Sequence, residues 1–434
     1  MIADHLTAEP DMPKRSFLSR AAHRLLLRRL ARFEGGQLAI EENGRRWEFG
    51  PASEDLPEVT ICVRDTRFYR HVILGGSLGA AEAYILGYWT CDNLVGLVQL
   101  FCRDASVSRS LESKIARLSG LVAAIAHRLR RNTASGSRRN IAAHYDLGDE
   151  FFSLFLDETM AYSCAIFPRP DSTLREASVA KFDRICRKLR LMPADHLLEI
   201  GSGWGGFALH AAREYGCRIT TTTISRKQYA YTRRLVEAAG LSNRVTVLDL
   251  DYRDVRGSFD KLVSIEMIEA VGHEYFDTFF RVCSERLTPN GMMLLQAIVI
   301  PDERFERYRR SVDFIQRYIF PGGCLPSLEA IRQSIRRATD FELSHVEDIT
   351  VHYADTLSFW RRQFQTNLAQ VRALGFSDEF IRTWEFYFCY CEGGFRERAI
   401  RDVQILLSKP DCHNAGACGG DVIAANDRPG IRDR

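Results

Sequence analysis

The sequence predicts an α/β protein whose main domain is a doubly wound, mostly parallel sheet with a helical cap, preceded by a small α+β domain. Three observations support this prediction. Short apolar strands alternate with longer helical patterns from about residue 140 onward. A glycine-rich turn joins one of these strands to a helix. The 434 residues also exceed one ordinary hydrophobic core, so we expect at least two domains.

The composition excludes several classes of protein. Hydrophobic residues make up 46% of the chain and charged residues 26%, which rules out a collagen-like, wholly disordered or disulfide-scaffold chain. The formal net charge of +3 gives no reason to expect a nucleic-acid partner. No uninterrupted apolar run is long enough to predict a membrane-spanning helix. The twelve cysteines lack zinc-site spacing and no secretory signal is evident, so we predict a metal-free, cytoplasmic protein.

The first domain is predicted to span residues 13–105, after a disordered start at 1–12 and before a basic linker at 106–139. The segment 37–49 alternates apolar and polar residues about an Asn-Gly pair, which predicts a β-hairpin. Residues 59–63 predict another short strand. Residues 78–100 predict helix with a break near Gly87.

Basic residues and leucines interleave near the start of this domain. A helix there would have one apolar and one strongly basic face, which is typical of a helix lying in a membrane interface. We therefore expect peripheral contact with the inner face of the membrane, and the alternative is a solvated helix face. The residues concerned are Lys14, Arg15, Phe17, Leu18, Arg20, Arg24, Leu25, Leu26, Leu27, Arg28, Arg29, Leu30 and Arg32.

The second domain is predicted to span residues 140–408 and to be followed by a disordered tail at 409–434. Its parallel sheet is built from strands at 196–200, 217–224, 245–249, 259–265 and 291–299, with helices in the intervals. Two further segments, 302–340 and 356–400, predict the helical cap over the sheet's C-terminal edge.

A nucleotide-binding turn follows the first of these strands. The strand ends at Ile200 and runs into Gly201-Ser-Gly203-Trp204-Gly205-Gly206, where glycines let the backbone approach a ligand closely. The glycine spacing differs from that of a dinucleotide fold and, preceded by Glu199, fits the Rossmann-like fold of S-adenosylmethionine (SAM) methyltransferases. The acidic residue that usually binds the ribose is missing, and Gln228 is able to make the same hydrogen bonds.

Several motifs in order along the chain resemble the cyclopropane-fatty-acyl-phospholipid synthases. The resemblance covers about residues 140–408 and extends more faintly into the first domain. The motifs are Asn140–Asp146, Tyr162-Ser163-Cys164-Ala165, the glycine turn, Thr223–Gln228, Asp251–Asp254, Ser264–Gly272, Tyr318–Ser327 and Tyr353–Trp360.

The resemblance implies an enzyme that uses SAM to add a one-carbon unit across a cis double bond of a phospholipid acyl chain, forming a cyclopropane. It also implies that Tyr162 and Ser163 contact the methionine moiety of SAM and that Gly201 and Gly203 lie under it. Thr223 and Gln228 would hold the ribose, and Tyr252 and Arg253 would border the adenine. The other members of the implied SAM-binding set are Glu199, Trp204, Gly205 and Ser225.

Ring closure requires a base that removes a proton from the newly added methyl group. In the relatives this base is a bicarbonate held by a Cys, a Glu, a His and a Tyr. The resemblance matches Cys164, Glu269, Tyr353 and the backbone of Ile298 to that site, and Cys391 to another active-site cysteine.

The histidine of the implied bicarbonate site is replaced in this chain. Its counterpart is Gln296, which hydrogen-bonds an anion but carries no positive charge, and this weakens the case for bound bicarbonate. We hypothesise that the carboxylate of Glu392 occupies or neighbours the bicarbonate position and acts as the base.

Three alternatives stay open at this point. The same acyl chain would become methyl-branched or methylene-bearing if the ring did not close. A C- or N-methyltransferase for a soluble small molecule is more distant, because the first domain and the basic amphipathic segment argue against it. A non-enzymatic lipid-binding protein is the alternative from another class. Dimers occur among the relatives, so a homodimer is also an expectation.

Overall fold

The computed structural model describes residues 17–52, 58–104 and 147–412. The chain divides into two compact units, Met1–Ser119 and Gly120–Arg434. The predicted linker, the predicted disordered start and almost all of the predicted tail lie outside the described residues. So does the motif Asn140–Asp146, together with Lys14 and Arg15 of the basic segment.

The first unit contains a four-stranded sheet of order β2-β1-β3-β4. The predicted hairpin is confirmed, since β1 and β2 pair antiparallel about Asn43 and Gly44, whose φ angles of 51° and 75° suit a two-residue hairpin turn. β1 also pairs parallel with β3, and β3 pairs antiparallel with β4. The strands are β1 (Leu38–Glu42), β2 (Arg45–Phe49), β3 (Val59–Val63) and β4 (Trp89–Cys91).

The described residues of this unit form three helices beside the sheet: α1 (Phe17–Leu30), α2 (Arg67–Ile85) and α3 (Leu94–Arg103). The break predicted near Gly87 is confirmed, since α2 ends just before it and Gly87 has a φ angle of 74°. The rest of the prediction of helix over 78–100 differs from the structure at two points. Helix α2 begins at Arg67, and strand β4 separates it from α3, because Trp89 is buried against Phe68 and Tyr84 rather than continuing a helical face.

Helix α1 confirms the predicted helix of the basic segment and shows where its apolar residues go. Leu26 and Leu30 are buried in the core of the unit. Leu18 and Leu25 are 64% and 39% exposed. Arg20, Arg24 and Arg28 are exposed beside them. The helix therefore uses most of its apolar face inside the unit and leaves a mixed leucine and arginine face outside.

The second unit contains a seven-stranded sheet of order β10-β11-β9-β8-β5-β6-β7. The strands from β5 to β9 pair parallel, and β11 pairs antiparallel with both β9 and β10. The strands are β5 (His196–Ile200), β6 (Arg218–Thr223), β7 (Val245–Asp249), β8 (Phe259–Ile265), β9 (Leu287–Val299), β10 (Glu342–Asp348) and β11 (Arg401–Ser408). The predicted α/β class is confirmed.

Helices cover this sheet and extend beyond it. Their bounds are α4 (Asp149–Phe152), α5 (Leu174–Leu189), α6 (Gly206–His210), α7 (Arg226–Ala238), α8 (Phe276–Arg286), α9 (Asp302–Tyr308), α10 (Leu328–Ala338), α11 (Thr350–Thr366), α12 (Leu368–Ala373) and α13 (Asp378–Arg396). π-helical turns occupy Ala211–Tyr215 and Ile315–Ile319. Segments 302–340 and 356–400 are thus largely helical, as predicted, whereas strands β10 and β11 beside them had not been predicted.

Two hydrophobic layers pack the sheet. On one, Phe279 and Phe280 of α8 and Ile331 of α10 pack with residues of β8 and β9. On the other, Ile185 of α5 and Phe207 of α6 pack with the central strands. Because β5, β6 and β8 are parallel, the loops after them emerge at one edge of the sheet, which is where an open α/β fold binds its ligands. Among the described helices, none is long and apolar enough to cross a membrane.

Candidate active site

The glycine turn after β5 has the backbone geometry that the sequence predicts. Gly201, Gly203 and Gly205 have φ angles of 96°, 48° and 89°, in the region that favours glycine. A Cβ added at Gly205 would lie 2.8 Å from the Thr232 side chain, so this glycine is needed for helix packing. A Cβ at Gly203 would meet no atom within 4 Å, so the backbone there borders open space. The turn leaves room for a ligand against its main chain.

The residues predicted for the ribose lie together beside this turn. The Thr223 hydroxyl donates to Oε1 of Gln228 at 2.9 Å, and both side chains are buried. Ser225 caps α7, its Oγ accepting from the backbone N–H of Gln228 at 3.3 Å. This cap explains why a serine stands there, because it satisfies a free N–H at the helix start.

The pair predicted for the adenine follows strand β7. Arg253 is held by Asp251, with Nη2 2.7 Å from the carboxylate, and its guanidinium lies 5.5 Å from the centre of the Tyr252 ring. Together with the glycine turn and Thr223, these residues line the loops after three adjacent parallel strands. The individual roles toward SAM stay predictions.

Buried groups surround the residues predicted for the methionine moiety. The hydroxyl of Tyr162 lies 3.0 Å from that of Tyr387. Ser163 accepts a hydrogen bond from Nζ of Lys181 at 2.7 Å. Burial lowers the pKa of Lys181, and the negative charge of Glu266 opposes that shift. Burial raises the pKa of Glu199, at the end of β5, to about 8, again against the opposing charge of Lys181.

The centre of the site is a carboxylate that the sequence prediction missed. Glu266 follows strand β8, and three donors converge on its side chain. Oε1 accepts from the backbone N–H of Cys164 at 2.8 Å and from Nε2 of Gln296 at 2.7 Å. Oε2 accepts from the Tyr353 hydroxyl at 2.6 Å. The structure therefore brings Cys164, Gln296 and Tyr353 together, and it does so around Glu266.

Gln296 belongs to a buried polar chain that runs across three strands. Its Nε2 also donates to Oδ2 of Asp402 at 3.1 Å, and its Oε1 accepts from Nε2 of Gln404 at 3.0 Å. Oε1 of Gln404 accepts in turn from Nζ of Lys188 at 2.7 Å. Lys188 is ion-paired with Glu347. All the hydrogen-bonding groups of the Gln296 side chain are thus engaged by named partners.

Two further carboxyl groups lie close to Glu266. Burial raises the pKa of Asp402 well above its ordinary value, and the charges of Glu266 and Glu269 add to that rise. Burial and the charge of Glu266 raise the pKa of Glu269 to about 8. Oε1 of Glu269 accepts from the backbone N–H of Ile298 at 2.6 Å. Three acids in one poorly solvated pocket cannot all ionise at neutral pH, so some of them hold protons.

The predicted active-site cysteines differ in their surroundings. Cys164 is fully buried, and burial raises the pKa of its thiol well above the ordinary value. It contributes its backbone N–H to Glu266 and is a neutral thiol at physiological pH. Burial also raises the pKa of Cys391, with Asp313 and Cys389 as the next contributors. The charge of Lys181 opposes the rise at Cys164, but burial outweighs it, so neither environment generates a thiolate.

The structure does not support the hypothesis that Glu392 acts as the base. Its Oε2 accepts from Arg361 at 3.0 Å and its Oε1 from Arg396 at 2.8 Å. The groups that should have met it, Gln296 and Tyr353, bind Glu266 instead. Glu392 follows Cys391 along helix α13, and its ion pair with Arg361 links that helix to α11, while Arg396 lies one turn further along α13 itself.

The donors implied for bicarbonate do not fit a second anion here. The Cys164 N–H, Gln296 amide and Tyr353 hydroxyl bind the Glu266 carboxylate, and the Ile298 N–H binds Glu269. A bicarbonate would find these donors taken and would face several acidic side chains. No group of ligating side chains suited to a metal ion occurs among the described residues.

Sequence patterns could have revealed some of the missed residues. Lys181 and Lys188 lie at the helical spacing of the buried positions Ala177 and Ile185, so both fall on the inward face of α5. Glu266 carried no such signal, because it stands three residues before the equally acidic Glu269 in a turn. Asp402 and Gln404 belong to the strand that had not been predicted.

Comparison with known proteins decides the family. The model of the mycolic acid cyclopropane synthetase family matches residues 132–405, more than half of the chain. The chain belongs to this family. As a member of the synthetase family it is a SAM-dependent methyltransferase that modifies lipids, with SAM as its co-substrate.

Curated relatives of this synthetase-family chain differ in their products. The tuberculostearic acid methyltransferase UfaA1 of Mycobacterium tuberculosis is 37% identical over 354 residues, which cover 80% of this chain and 82% of that protein. The cyclopropane-fatty-acyl-phospholipid synthase of Escherichia coli is 36% identical over 352 residues, covering 80% of this chain and 87% of the relative. The chain is therefore similar to proteins named for two different outcomes.

Solved structures agree with the family assignment. The mycolic acid cyclopropane synthase CmaA1, in a complex with SAH and CTAB, superposes with a TM-score of 0.59 at 35% identity, covering 63% of this chain and 98% of that one. The cyclopropane synthase MmaA2 from Mycobacterium tuberculosis gives the same TM-score and coverage at 32% identity. The predicted SAM methyltransferase fold is confirmed.

Proposed function

We propose that this enzyme transfers a one-carbon unit from SAM to the cis double bond of unsaturated acyl chains in membrane phospholipids and closes it to a cyclopropane. The observation that carries the proposal is the meeting of aromatic rings and buried carboxyls at Tyr353. The hydroxyl of Tyr353 binds Glu266, while its ring stacks on Phe395 at 4.3 Å and meets Trp360 edge-on at 6.2 Å.

The rings extend from Tyr353 toward the SAM side of the site. Trp360 lies 5.2 Å from the ring of Tyr162, which in turn lies 6.3 Å from Phe320. An alkene is a weak nucleophile, and SAM supplies a methyl group on a positively charged sulfur. Methyl transfer leaves a carbocation on the neighbouring carbon, and aromatic faces in a dry pocket stabilise a cation by about 0.5–2 kcal/mol per ring. An apolar, aromatic pocket also suits an acyl chain.

A methylene-bearing or methyl-branched chain is the second candidate product. Two observations favour it: a neutral Gln296 stands where the resemblance implies a histidine, and UfaA1 is named a tuberculostearic acid methyltransferase rather than a cyclopropane synthase. If a hydride shifts to the first cation, loss of a proton from the same methyl group yields an exocyclic methylene instead of a ring. The two products therefore share their first step and differ in the position of the cation when the proton leaves.

Incubation with labelled SAM tests both products. The purified protein and [methyl-¹⁴C]SAM are mixed with vesicles of dioleoylphosphatidylglycerol, and dipalmitoylphosphatidylglycerol vesicles and free oleic acid serve as controls. We expect label only in the unsaturated phospholipid, in acyl chains that are one CH₂ heavier and resist mild hydrogenation. Uptake of hydrogen by the product would identify a methylene. Absence of label from every lipid would contradict acyl-chain modification.

We also propose that the protein is cytoplasmic and that helix α1 contributes to its peripheral contact with the membrane. Leu18 and Leu25 are exposed on the helix beside Arg20, Arg24 and Arg28, so apolar and cationic groups share one face. Replacing Leu18 and Leu25 with glutamate should reduce co-sedimentation with anionic vesicles, whereas Leu86→Glu, at an exposed position on the C-terminal cap of α2, should not. Equal sedimentation of all three proteins would exclude this face.

A further inference from the structure

The resemblance implies that one exogenous anion binds the Cys164 position, the 296 position and Tyr353, whereas the structure supplies an anion from the chain itself. These donors meet the Glu266 carboxylate at 2.8, 2.7 and 2.6 Å. Each is neutral, so the carboxylate is held in place without an ion pair at hydrogen-bond distance. The remaining implied donor, the Ile298 N–H, is taken by Glu269.

The orientation of the Gln296 amide follows from a group that only donates. The Lys188 ammonium has no acceptor, so the carbonyl oxygen of Gln404 must face it, and the Gln404 NH₂ then faces the oxygen of Gln296. The Gln296 NH₂ consequently points at Glu266 and Asp402. A buried lysine thereby fixes two amides so that a donor, rather than an acceptor, meets the carboxylates.

Accessibility and backbone conformation distinguish Glu266 from its buried neighbours. Gln296 and Asp402 are fully buried, whereas Glu266 keeps part of its surface exposed. Its φ angle of 47° lies in the left-handed region, which is costly for a residue with a Cβ and costs nothing for glycine. Backbone strain of this kind is concentrated at functional sites, so a glutamate in that conformation agrees with a functional role for its side chain.

We propose that the Glu266 carboxylate is the proton acceptor of the reaction and that the enzyme needs no bicarbonate. This inference rests on the function proposed above. After methyl transfer, a C–H bond of the new methyl group breaks, and its electron pair forms the third C–C bond of the cyclopropane and discharges the cation. The proton passes to an oxygen of Glu266, giving a carboxylic acid that later releases it to solvent. A carbon acid next to a cation is strongly acidic, so a weak base suffices.

The adjacent acid Asp402 fits this role for Glu266. The two carboxyl groups share the Gln296 amide, and burial together with the charge of Glu266 favours the protonated form of Asp402. Burial raises the pKa of Glu266 as well, but its three hydrogen bonds and the charge of Lys181 oppose that rise, so the negative charge of the pair is favoured on Glu266. The pair thus offers one carboxylate on the accessible side and one carboxylic acid behind it.

Three variants test the proposal with the full-length protein in the labelled vesicle assay. Glu266→Gln keeps the size of the side chain but accepts no proton. Glu266→Gly removes the carboxylate, relieves the left-handed conformation and opens space for a small anion. Glu237→Gln makes the same chemical change at an exposed ion pair on α7 and is the matched control. S-adenosylhomocysteine-induced thermal shifts verify that each variant is folded.

We expect wild-type turnover to be unchanged in CO₂-depleted buffer and Glu266→Gln to lose at least about 100-fold. Glu266→Gly should be similarly slow in that buffer and should regain at least about tenfold when bicarbonate or formate is added, because either anion can accept the proton. A wild-type enzyme that requires bicarbonate, or a folded Glu266→Gln within about threefold of wild type, would overturn the proposal. Failure of wild-type protein to label any phospholipid would instead refute the proposed function.

Discussion

Glu266 and Glu392 are glutamates of the same unit in two different environments. Glu392 is 2% exposed and is bound by the guanidiniums of Arg361 and Arg396. Glu266 is partly accessible and is bound by an amide, a hydroxyl and a backbone N–H, with two further acids nearby. Two guanidiniums bind the Glu392 carboxylate and balance its charge, whereas the three groups that bind Glu266 are neutral and hold its carboxylate without an ion pair. Glu392 was chosen as the base because it follows Cys391 in the sequence, and that proximity does not reveal which groups surround its carboxylate.

The largest expected effect concerns pH and the acids around Glu266. The pKa of Glu269 is raised from 4.5 to about 8, so between these values the folded protein holds a proton that the unfolded chain has lost. Its contribution to stability is therefore complete below about pH 4.5 and is lost as the pH rises through about 8. Glu269→Gln is neutral throughout, and the unfolding free energy of wild type should fall relative to it by up to ~1.4 kcal/mol per pH unit.

Urea unfolding at pH 5, 6, 7 and 8 measures this difference between wild type and Glu269→Gln. Glu237→Gln, which alters an exposed carboxylate, should follow the wild-type curve over the same range. If the curve of Glu269→Gln also ran parallel to that of wild type, the carboxyl of Glu269 would be ionised in the folded protein. The acidic pocket would then resemble the surroundings of Glu392 more closely than the structure indicates.

The next effect tests the ion-paired side of the comparison. Glu392→Gln removes the charge that two guanidiniums bind, and we expect the unfolding free energy to fall by about 2–3 kcal/mol, somewhat below a fully buried pair because both arginines are partly exposed. Turnover per folded molecule should stay within about threefold. Glu237→Gln should cost at most about 0.5 kcal/mol. If Glu392→Gln were stable but inactive, Glu392 would have a direct role in the reaction.

The smallest effect sharpens the positioning of Glu266. Tyr353→Phe removes the hydroxyl that donates to Oε2 but keeps the ring that stacks on Phe395. A hydrogen bond to a charged group contributes about 1.5–3 kcal/mol, so turnover should fall roughly tenfold to hundredfold while KM for SAM stays constant. Tyr229→Phe, on α7, serves as the control. An unchanged kcat in Tyr353→Phe would mean that two donors suffice.

Much of the fold could be predicted because burial and sequence pattern agree there. Strands β5, β7 and β8 are apolar runs bounded by turn residues, and their bounds match the prediction. Strand β10 has a half-exposed, charged sequence at the sheet edge, and β11 begins with Arg401, Asp402 and Gln404 before its run of apolar residues. Such strands are stabilised by pairing with neighbouring strands more than by their own sequence, so the local sequence pattern does not predict them.

The site residues that belong to a family motif could be predicted from the sequence. The residues that are brought to the site by strand pairing could not. Cys164, Gln296 and Tyr353 were chosen from the resemblance and do meet, and Glu269 lies beside them through Ile298. Their common partner Glu266 could not be told from the neighbouring glutamates by sequence alone. Which carboxylate meets which donor depends on the register of β8, β9 and β11, and register is a tertiary property.

The position of strand β11 in the sheet determines when the acidic pocket of the site can form during folding. It carries Asp402 and Gln404 and inserts between β9 and β10, which both precede it in the chain. Pairing between segments so distant in sequence closes large loops and forms late in folding. The glycine turn and its helix, by contrast, are local structures. We therefore expect a nascent chain to form its nucleotide-binding turn before its proton-accepting pocket. The protein would become active only when β11 has paired with β9 and β10.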